Sequence, residues 1–199
     1  MKIAVDKNQF TGSHEKSNKL KHEQLKNMGH EIVPTPLPFG DYALITDDVA
    51  ETIKRRGDKL KKQDLMGDIK IAVDTKKDLL ECVSNICSSS HGRFRDEVIL
   101  AQKIGAKLYV LVEEPNINEI RDIFKWVNPR AKRYYLIRKM HTQGRWLNIT
   151  LPKAPPTNGQ TLAKAMLTFE MKYGCKFLFC KPEETGAKIV ELLGGNNDD

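Results

Sequence analysis

Short apolar runs rich in β-branched residues alternate along the chain with longer segments that have apolar residues at helical spacing. This alternation predicts an α/β domain, because strands separated by helices commonly pair in one sheet that those helices cover. Strands are predicted at residues 2–6, 32–36, 42–45, 69–74, 108–112 and 176–180. Helices are predicted at residues 13–27, 78–87, 94–104, 117–127, 162–172 and 183–193, with partial helix in 47–63.

The composition of the strands predicts their place in a mixed sheet. Residues 69–74 read Ile-Lys-Ile-Ala-Val-Asp, which is typical of a central strand. Pro34 and Pro36 indicate that the strand at 32–36 lies at a sheet edge or ends early, since proline cannot donate to a strand ladder. Residues 134–149 are interpreted as a hairpin that turns at Thr142-Gln143-Gly144, and the polar tail 194–199 is expected to fray.

Size and composition exclude several classes of protein. The chain has 199 residues, of which 40% are hydrophobic and 30% are charged, which is ordinary for a globular domain. No apolar run approaches the roughly 20 residues that span a bilayer, and residues 1–6 lack a signal-peptide core. We therefore expect a cytoplasmic protein with no membrane partner, and its four cysteines do not form a disulfide framework.

Positive charge is concentrated in one part of the chain. The formal net charge is +7, yet no acidic residue lies between Asp122 and Glu170. That segment has nine lysines and arginines, so the rest of the chain sums to −2. Such asymmetry favours a polyanionic partner, and interleaved Tyr134, Tyr135 and Trp146 suit contact with nucleic acid. A solvated basic face, with these aromatics buried in a hairpin, is the alternative.

Two acids and a lysine are candidates for phosphodiester chemistry. Asp41 precedes the strand at 42–45, and Asp74 ends the strand at 69–74. If these strands are neighbours, both carboxylates can approach one Mg²⁺, which binds carboxylate oxygens and retains several waters. Strand alternation places Lys76 on the face of Asp74 and turns the Thr75 side chain away, leaving its carbonyl available. Lys76 is expected to orient the attacking water or stabilise the developing charge.

Four motifs follow one another in a specific order. They are Gly40-Asp41, Val73-Asp74-Thr75-Lys76, Ser84-Asn85-Ile86 and Gly92-Arg93-Phe94-Arg95-Asp96-Glu97, with an apolar strand at 108–112 after them. This order resembles the nuclease domain of XPF-type structure-specific endonucleases, members of the PD-(D/E)XK superfamily. Their pattern is GD, ERK, an acid on the next helix, and GR(F/Y)xEQ. The resemblance covers about residues 1–127, and residues 159–193 resemble the tail of short bacterial and phage-encoded relatives.

The resemblance implies a metal site. Asp41, Asp74, the Thr75 carbonyl and Glu81 would hold Mg²⁺, with Mn²⁺ as a substitute, and Lys76 would act beside them. Asp74 replaces the family Glu, and Thr75 replaces the family Arg. Glu81 takes the helical position only if one residue is inserted after Lys76, and Asp78 is the alternative.

Other positions depart from the family pattern or follow it loosely. Asp6 matches the acid of the family opening VDxRE, but Asn8 and Gln9 replace its Arg and Glu, so Asp6 is interpreted as a structural or supporting acid. Arg93 matches the family arginine and Glu97 falls near the final EQ. The residues expected to bind DNA are Arg93, Arg130, Lys132, Arg133, Arg138, Lys139 and Arg145.

These features predict a restriction-endonuclease-like α/β fold in which a mixed central sheet is flanked by helices. We expect a nuclease core at residues 1–128, a basic hairpin-like insertion at 129–152 and a helix-strand-helix extension at 153–199. The resemblance implies a Mg²⁺-dependent endonuclease for branched, flapped or junction DNA in repair or recombination, with a homodimer left open. An inactive DNA-binding or scaffold protein is the alternative, and RNA cleavage is a weaker third hypothesis.

Overall fold

Six strands form one mixed sheet in a computed structural model that describes residues 1–88 and 91–194. The strands are β1 (Lys2–Asp6), β2 (Glu31–Thr35), β3 (Tyr42–Leu44), β4 (Ile71–Lys76), β5 (Lys107–Glu113) and β6 (Lys176–Cys180). Their order across the sheet is β2-β1-β3-β4-β5-β6. The predicted α/β fold with a mixed central sheet is therefore confirmed.

Strand pairing brings the predicted site acids to one region. β3 pairs antiparallel with both β1 and β4, while β4, β5 and β6 run parallel to one another. Tyr42 lies opposite Val73, so Asp41 and Asp74 stand at adjoining positions of neighbouring strands, as expected. β2 pairs only with β1 among the described strands and forms an edge, which accommodates Pro34.

Helices cover both faces of the sheet. The helices are α1 (Gly12–Asn27), α2 (Asp47–Arg56), α3 (Leu79–Cys82), α4 (His91–Lys103), α5 (Arg130–Thr142), α6 (Gly159–Tyr173) and α7 (Thr185–Gly194). On one face, Leu25 of α1 and Ile189 of α7 pack with Tyr42 and Val73. On the other face, α4 and α6 bury apolar residues against the sheet, as shown by the stacked rings of Phe94 and Phe169 at 5.7 Å.

Three helical predictions change in the structure. The segment predicted as a helix at 78–87 continues from α3 into a π-helical turn, Val83–Cys87. The helix predicted at 117–127 is a 3₁₀ helix, Ile120–Lys125. α1 begins at Gly12 with Thr11 as its N-cap residue, whereas the sequence predicted a cap at Ser13, whose side chain lies outside the described residues.

The hairpin predicted at residues 134–149 is wrong. This part of the chain forms α5, which buries Tyr134 and Ile137 at the three-residue spacing of a helix face. Gly144, with a φ of 69°, follows the helix end and donates its N–H to the His141 carbonyl. The turn signal is therefore a helix stop, since a left-handed glycine suits both a hairpin and a helix terminus.

The C-terminal third of the chain contributes to the same sheet and core. β6 pairs in parallel with β5, and Leu162 and Met166 of α6 are fully buried. The predicted strand at 176–180 and the helices on both sides of it are confirmed. Of the tail predicted to fray, residues 195–199 lie outside the described residues. No helix in residues 1–88 or 91–194 is long and apolar enough to cross a bilayer.

Candidate active site

A cleft of about 670 Å³ opens where β4 ends beside the turn that precedes β3. Its walls come from the 3₁₀ helix Lys7–Phe10, α1, the Gly40 turn, β4, α3 and α4. The predicted site residues that line it are Asp41, Asp74, Thr75, Lys76, Glu81, Arg93 and Arg130. The structure thus brings together every residue predicted for catalysis and metal binding, and two of those predicted to contact DNA.

The Gly40 turn fixes Asp41 between two strands. Gly40 has a φ of 68°, and a Cβ there would lie 3.0 Å from the Ala72 Cβ, so a side chain is excluded by both conformation and space. The Asp41 N–H donates to the Val73 carbonyl at 2.8 Å, and the Asp6 N–H donates to the Asp41 carbonyl at 2.8 Å. Asp41 is therefore held by main-chain bonds to β1 and β4.

The Asp41 carboxylate is held by three donors. Its Oδ2 accepts from the Thr75 N–H at 2.8 Å and from the Thr75 hydroxyl at 2.7 Å. Its Oδ1 accepts from Nε2 of Gln9 at 2.5 Å. The Thr75 side chain thus lies on the α1 side of the sheet, near Lys21 Nζ at 3.5 Å, opposite the face of Asp74 and Lys76, as expected.

Asp74 and Lys76 form a buried ion pair. Lys76 Nζ lies 2.6 Å from Asp74 Oδ2, and the two residues are only 7% and 4% exposed, respectively. The ammonium also stands 5.1 Å from the centre of the Phe94 ring. This pair occupies the face of β4 that packs toward α4.

Burial shifts the pKa of both partners. Burial raises the pKa of Asp74 to about 8; Lys76 opposes this shift, while the nearby Asp41 and Glu97 add to it. Burial alone would lower the pKa of Lys76, but the Asp74 and Asp41 carboxylates outweigh it and raise that pKa above its ordinary value. Lys76 is consequently a fixed cation and not a proton acceptor at neutral pH.

Glu81 and Asp78 have different environments at the start of α3. Asp78 is the N-cap residue, and its Oδ1 accepts from the Glu81 N–H at 2.7 Å. Glu81 Oε2 accepts from the Lys77 N–H at 3.0 Å. Both line the cleft, but Asp78 is engaged in capping a helix, which is a sufficient structural role for it.

Glu97 lines the cleft, although it is not among the residues predicted for catalysis, metal binding or DNA contact. It lies on α4 and lines the cleft, and its Oε1 accepts from the Gly40 N–H at 2.8 Å. Burial raises its pKa, although the Gly40 bond and Lys76 oppose the shift. The signal that could have identified Glu97 was its place at the end of the Gly92–Glu97 motif.

Both oxygens of the Asp6 carboxylate accept hydrogen bonds from main-chain N–H groups. Its Oδ1 accepts from the Asn8 N–H at 3.0 Å and its Oδ2 accepts from the Leu37 N–H at 3.1 Å. Lys62 Nζ lies 3.4 Å from the same Oδ2. These contacts agree with its interpretation as a structural or supporting acid at the edge of the cleft.

The chemistry of the cleft fits a hard divalent cation. The groups available are carboxylates and a main-chain carbonyl, which are the ligands that Mg²⁺ prefers. Asp74 Oδ2 is buried and has no donor at hydrogen-bond geometry apart from its ion pair with Lys76. Within residues 1–88 and 91–194, no three acidic, histidine or cysteine side chains already form a metal cage. One or two carboxylates with several waters would suffice for Mg²⁺.

The basic residues form an exposed surface beside the cleft. Arg130, the first residue of α5, lines the cleft, and Arg93 is exposed at its rim. The remaining predicted DNA contacts are exposed on α5 or just after it: Lys132, Arg133, Arg138, Lys139 and Arg145. Tyr134 is buried, whereas Tyr135 and Trp146 are 56% and 43% exposed, so only the latter two are accessible to a ligand.

Comparison with known proteins supports the motif analysis. The family model of the ERCC4 domain matches residues 5–193. A search of curated protein sequences found no match. The structure is similar to that of XPF from Aeropyrum pernix, with a TM-score of 0.54 and 15% sequence identity, over 97% of this chain and 63% of that chain. At this identity the likeness shows the fold, and the chain spans less than two thirds of that protein's length.

The family match extends over nearly the whole described structure, from β1 into α7. It includes the Gly40 turn, the end of β4, α3 and α4, which together build the cleft. The resemblance inferred from the motifs is thereby confirmed. The chain belongs to the ERCC4 domain family.

Proposed function

We propose that the protein is a metal-dependent endonuclease that hydrolyses phosphodiester bonds in DNA. The observation that carries this proposal is the placement of Asp41 and Asp74 on adjoining strands of one open cleft, with Lys76 paired to Asp74. Exposed arginines at the rim and on α5 add a surface for a polyanion. The preferred substrate is branched, flapped or junction DNA, a proposal that rests on the family resemblance.

Asp41, Asp74, the Thr75 carbonyl and Glu81 would hold Mg²⁺ or Mn²⁺, and Glu97 would assist them. When bound, such an ion neutralises phosphate charge and lowers the pKa of a coordinated water. Asp41 and Asp74 adjoin on hydrogen-bonded strands and line the same cleft, and the Asp41 charge is near enough to help raise the pKa of Asp74. Glu81 would offer its other carboxylate oxygen to the ion, since Oε2 already accepts from the Lys77 N–H.

Lys76 would act on the scissile phosphate as a fixed positive charge. Its raised pKa keeps the ammonium protonated, and the ion pair with Asp74 and the Phe94 ring limit its position. A preorganised cation of this kind stabilises the charge that develops on phosphate oxygens in the transition state. Arg93 at the rim would bind a neighbouring phosphate and orient the strand for in-line attack.

The α5 surface would hold DNA next to the cleft. Arg130 lines the cleft, and α5 extends from it for 13 residues, a length of about 20 Å. Four exposed cations follow Arg130 along α5 and Arg145 follows the helix, with Tyr135 and Trp146 exposed among them. Such a surface contacts backbone phosphates without reading sequence, and its aromatic rings can stack on unpaired bases.

A panel of labelled substrates tests the proposal. Flap, fork, four-way-junction, duplex and single-stranded DNA, together with an RNA strand, are incubated with the protein and Mg²⁺ or Mn²⁺. We expect cleavage near branch points, no cleavage with EDTA, and loss of cleavage in Asp74→Ala. Binding without metal-dependent cleavage would favour the inactive DNA-binding protein instead. Cleavage of RNA alone would favour the ribonuclease hypothesis.

A further inference from the structure

A chain of side-chain amides reaches Asp41 from outside the proposed set of metal ligands. Gln9, on the 3₁₀ helix Lys7–Phe10, donates from Nε2 to Asp41 Oδ1 at 2.5 Å. Asn18, on α1, donates from Nδ2 to Gln9 Oε1. Asn18 is only 3% exposed, and both amides line the cleft. This pair of hydrogen bonds, in the order Asn18 to Gln9 to Asp41, is here called the amide relay.

The amide relay occupies one of the acceptor positions of the Asp41 carboxylate. An ionised carboxylate has about four positions at which it can accept a hydrogen bond or bind a cation. Thr75 occupies two of them on Oδ2 through its N–H and its hydroxyl, and Gln9 occupies one on Oδ1. Roughly one position therefore stays open, on Oδ1. The direction of that position is set by Gln9, because Thr75 anchors only the other oxygen.

Asn18 sets which end of the Gln9 amide faces Asp41. A primary amide has a donor end and an acceptor end. The N–H of Asn18 requires an acceptor, so it selects the orientation in which Gln9 Oε1 faces α1 and Nε2 faces Asp41. The opposite orientation would place the amide oxygen against the Asp41 carboxylate, where two acceptors repel. Asn18 therefore acts on Asp41 without touching it.

We propose that Gln9 and Asn18 are positioning residues that set the affinity of the cleft for a divalent cation, and that Asn18 acts only through Gln9. This inference rests on the proposed function in one respect, namely that the cation binds at Asp41. Partners that orient a metal ligand typically change metal affinity or activity by about 10–100-fold when they are removed. Because the two bonds are in series, removing both should cost no more than removing the bond to Asp41 alone.

Mn²⁺ binding in the absence of DNA tests the amide relay. Electron paramagnetic resonance of free Mn²⁺ gives the dissociation constant of wild type, Asp74→Ala, Gln9→Met, Asn18→Leu and the Gln9→Met/Asn18→Leu double variant. Gln102→Leu is the matched control, since Gln102 donates only to the Lys172 carbonyl among the contacts described and does not line the cleft. Circular dichroism establishes that each variant is folded. If Asn18→Leu does not fold, Asn18→Ala replaces it in both the single and the double variant.

We expect Gln9→Met to weaken Mn²⁺ binding by about 10–100-fold and Gln102→Leu to leave it unchanged. The double variant should bind Mn²⁺ as Gln9→Met does. In cleavage assays at low metal concentration, kcat should fall while KM for DNA stays constant, and saturating Mn²⁺ should restore kcat, which it would not do if the folded fraction had fallen. A wild-type affinity in Gln9→Met, or additive losses in the double variant, would overturn the proposal that the amide relay sets the affinity for the cation. If wild type itself binds no Mn²⁺, the proposed function fails first.

Discussion

Thr75 binds Asp41 twice, through its main-chain N–H at 2.8 Å and its hydroxyl at 2.7 Å, and both bonds end on Oδ2. The residue that replaces the family arginine thus connects the ends of β3 and β4. A hydroxyl can make this contact because Thr75 faces α1 and not the Asp74–Lys76 pair. With threonine at this position, Oδ2 of the Asp41 carboxylate already accepts two hydrogen bonds from Thr75.

Removing the Thr75 hydroxyl should remove one of the two hydrogen bonds that Thr75 donates to Asp41 Oδ2. We expect Thr75→Val to weaken Mn²⁺ binding, because a hydrogen bond to a charged group contributes about 1.5–3 kcal/mol, or roughly 10–150-fold. Thr75→Ser keeps the hydroxyl and should stay near wild type. Calorimetric titration with Mn²⁺ measures both variants. Equal affinities of the Val and Ser variants would show that the N–H alone holds Asp41.

Lys76 should act as a charge and not as a base. Lys76→Met is expected to lower kcat by about 100–1000-fold, the usual cost of losing a transition-state contact. Asp41→Ala should lose activity to a similar extent. Cleavage is measured at saturating DNA and metal, and unfolding in urea is followed for each variant. If the Lys76→Met variant cleaves at the wild-type rate, Lys76 has no role in catalysis.

The two acids of α3 can be separated by comparing neutral variants. Glu81→Gln should weaken Mn²⁺ binding, because it replaces a carboxylate that faces the cleft. Asp78→Asn should bind Mn²⁺ normally, since asparagine still caps the helix and the family resemblance favours Glu81. A crystal structure with Mn²⁺ in which Asp78 faces the ion and Glu81 does not would reverse this assignment.

The raised pKa of Asp74 makes the metal-free protein sensitive to pH. Asp74 titrates at about 8 when folded and near 3.8 in its ordinary state, so the folded protein holds a proton that the unfolded chain has released. The free energy of unfolding that Asp74 contributes therefore falls as the pH rises from about 4 to about 8. Urea unfolding without metal at pH 5, 6.5 and 8 should show this loss, and Asp74→Asn should reduce the slope. The raised pKa of Glu97 adds in the same direction.

Metal binding should have the opposite pH dependence. If a divalent ion binds at Asp74 as proposed, it would compete with a proton there, so apparent Mn²⁺ affinity should rise by at most about tenfold per pH unit below 8 and then level off. Titrations in buffers of different ionisation enthalpy measure proton release directly. Release of no proton at pH 7 would contradict a raised pKa of Asp74 in the metal-free cleft.

The α5 surface should govern affinity for DNA and not the rate of cleavage. Replacing Arg133, Arg138 and Lys139 together with alanine should weaken binding on every substrate and flatten the salt dependence by roughly 0.9 in log–log slope per lost phosphate contact. The matched control replaces three exposed lysines outside the cleft and outside α5: Lys103, Lys107 and Lys172. Fluorescence anisotropy at several salt concentrations measures both. Equal slopes in the two triple variants would make α5 an ordinary solvated face.

Much of the fold could be predicted because the strands are locally encoded. Every predicted strand is present within a few residues, since continuous β-branched runs specify a buried strand without reference to distant partners. The metal site inferred from Gly40-Asp41 and Asp74-Thr75-Lys76 required that their strands be neighbours, and the structure meets that condition. α5 was missed because a basic segment with aromatics and a glycine fits a helix or a hairpin, and only burial of Tyr134 and Ile137 on one face decides between them.

The sequence by itself thus determined the α/β class, the family, and the positions of Asp41 and Asp74 in the cleft. Tertiary structure alone decided how those acids are held. Gln9 and Asp41 are 32 residues apart, and Gly40 and Glu97 are 57 residues apart, so their bonds have no local pattern. The raised pKa of Asp74 likewise depends on burial beneath α4 and on the charges of Asp41 and Glu97, which come from two other segments. Such contacts arise only when the chain closes on itself, because hydrogen bonds and desolvation act over a few ångströms of space.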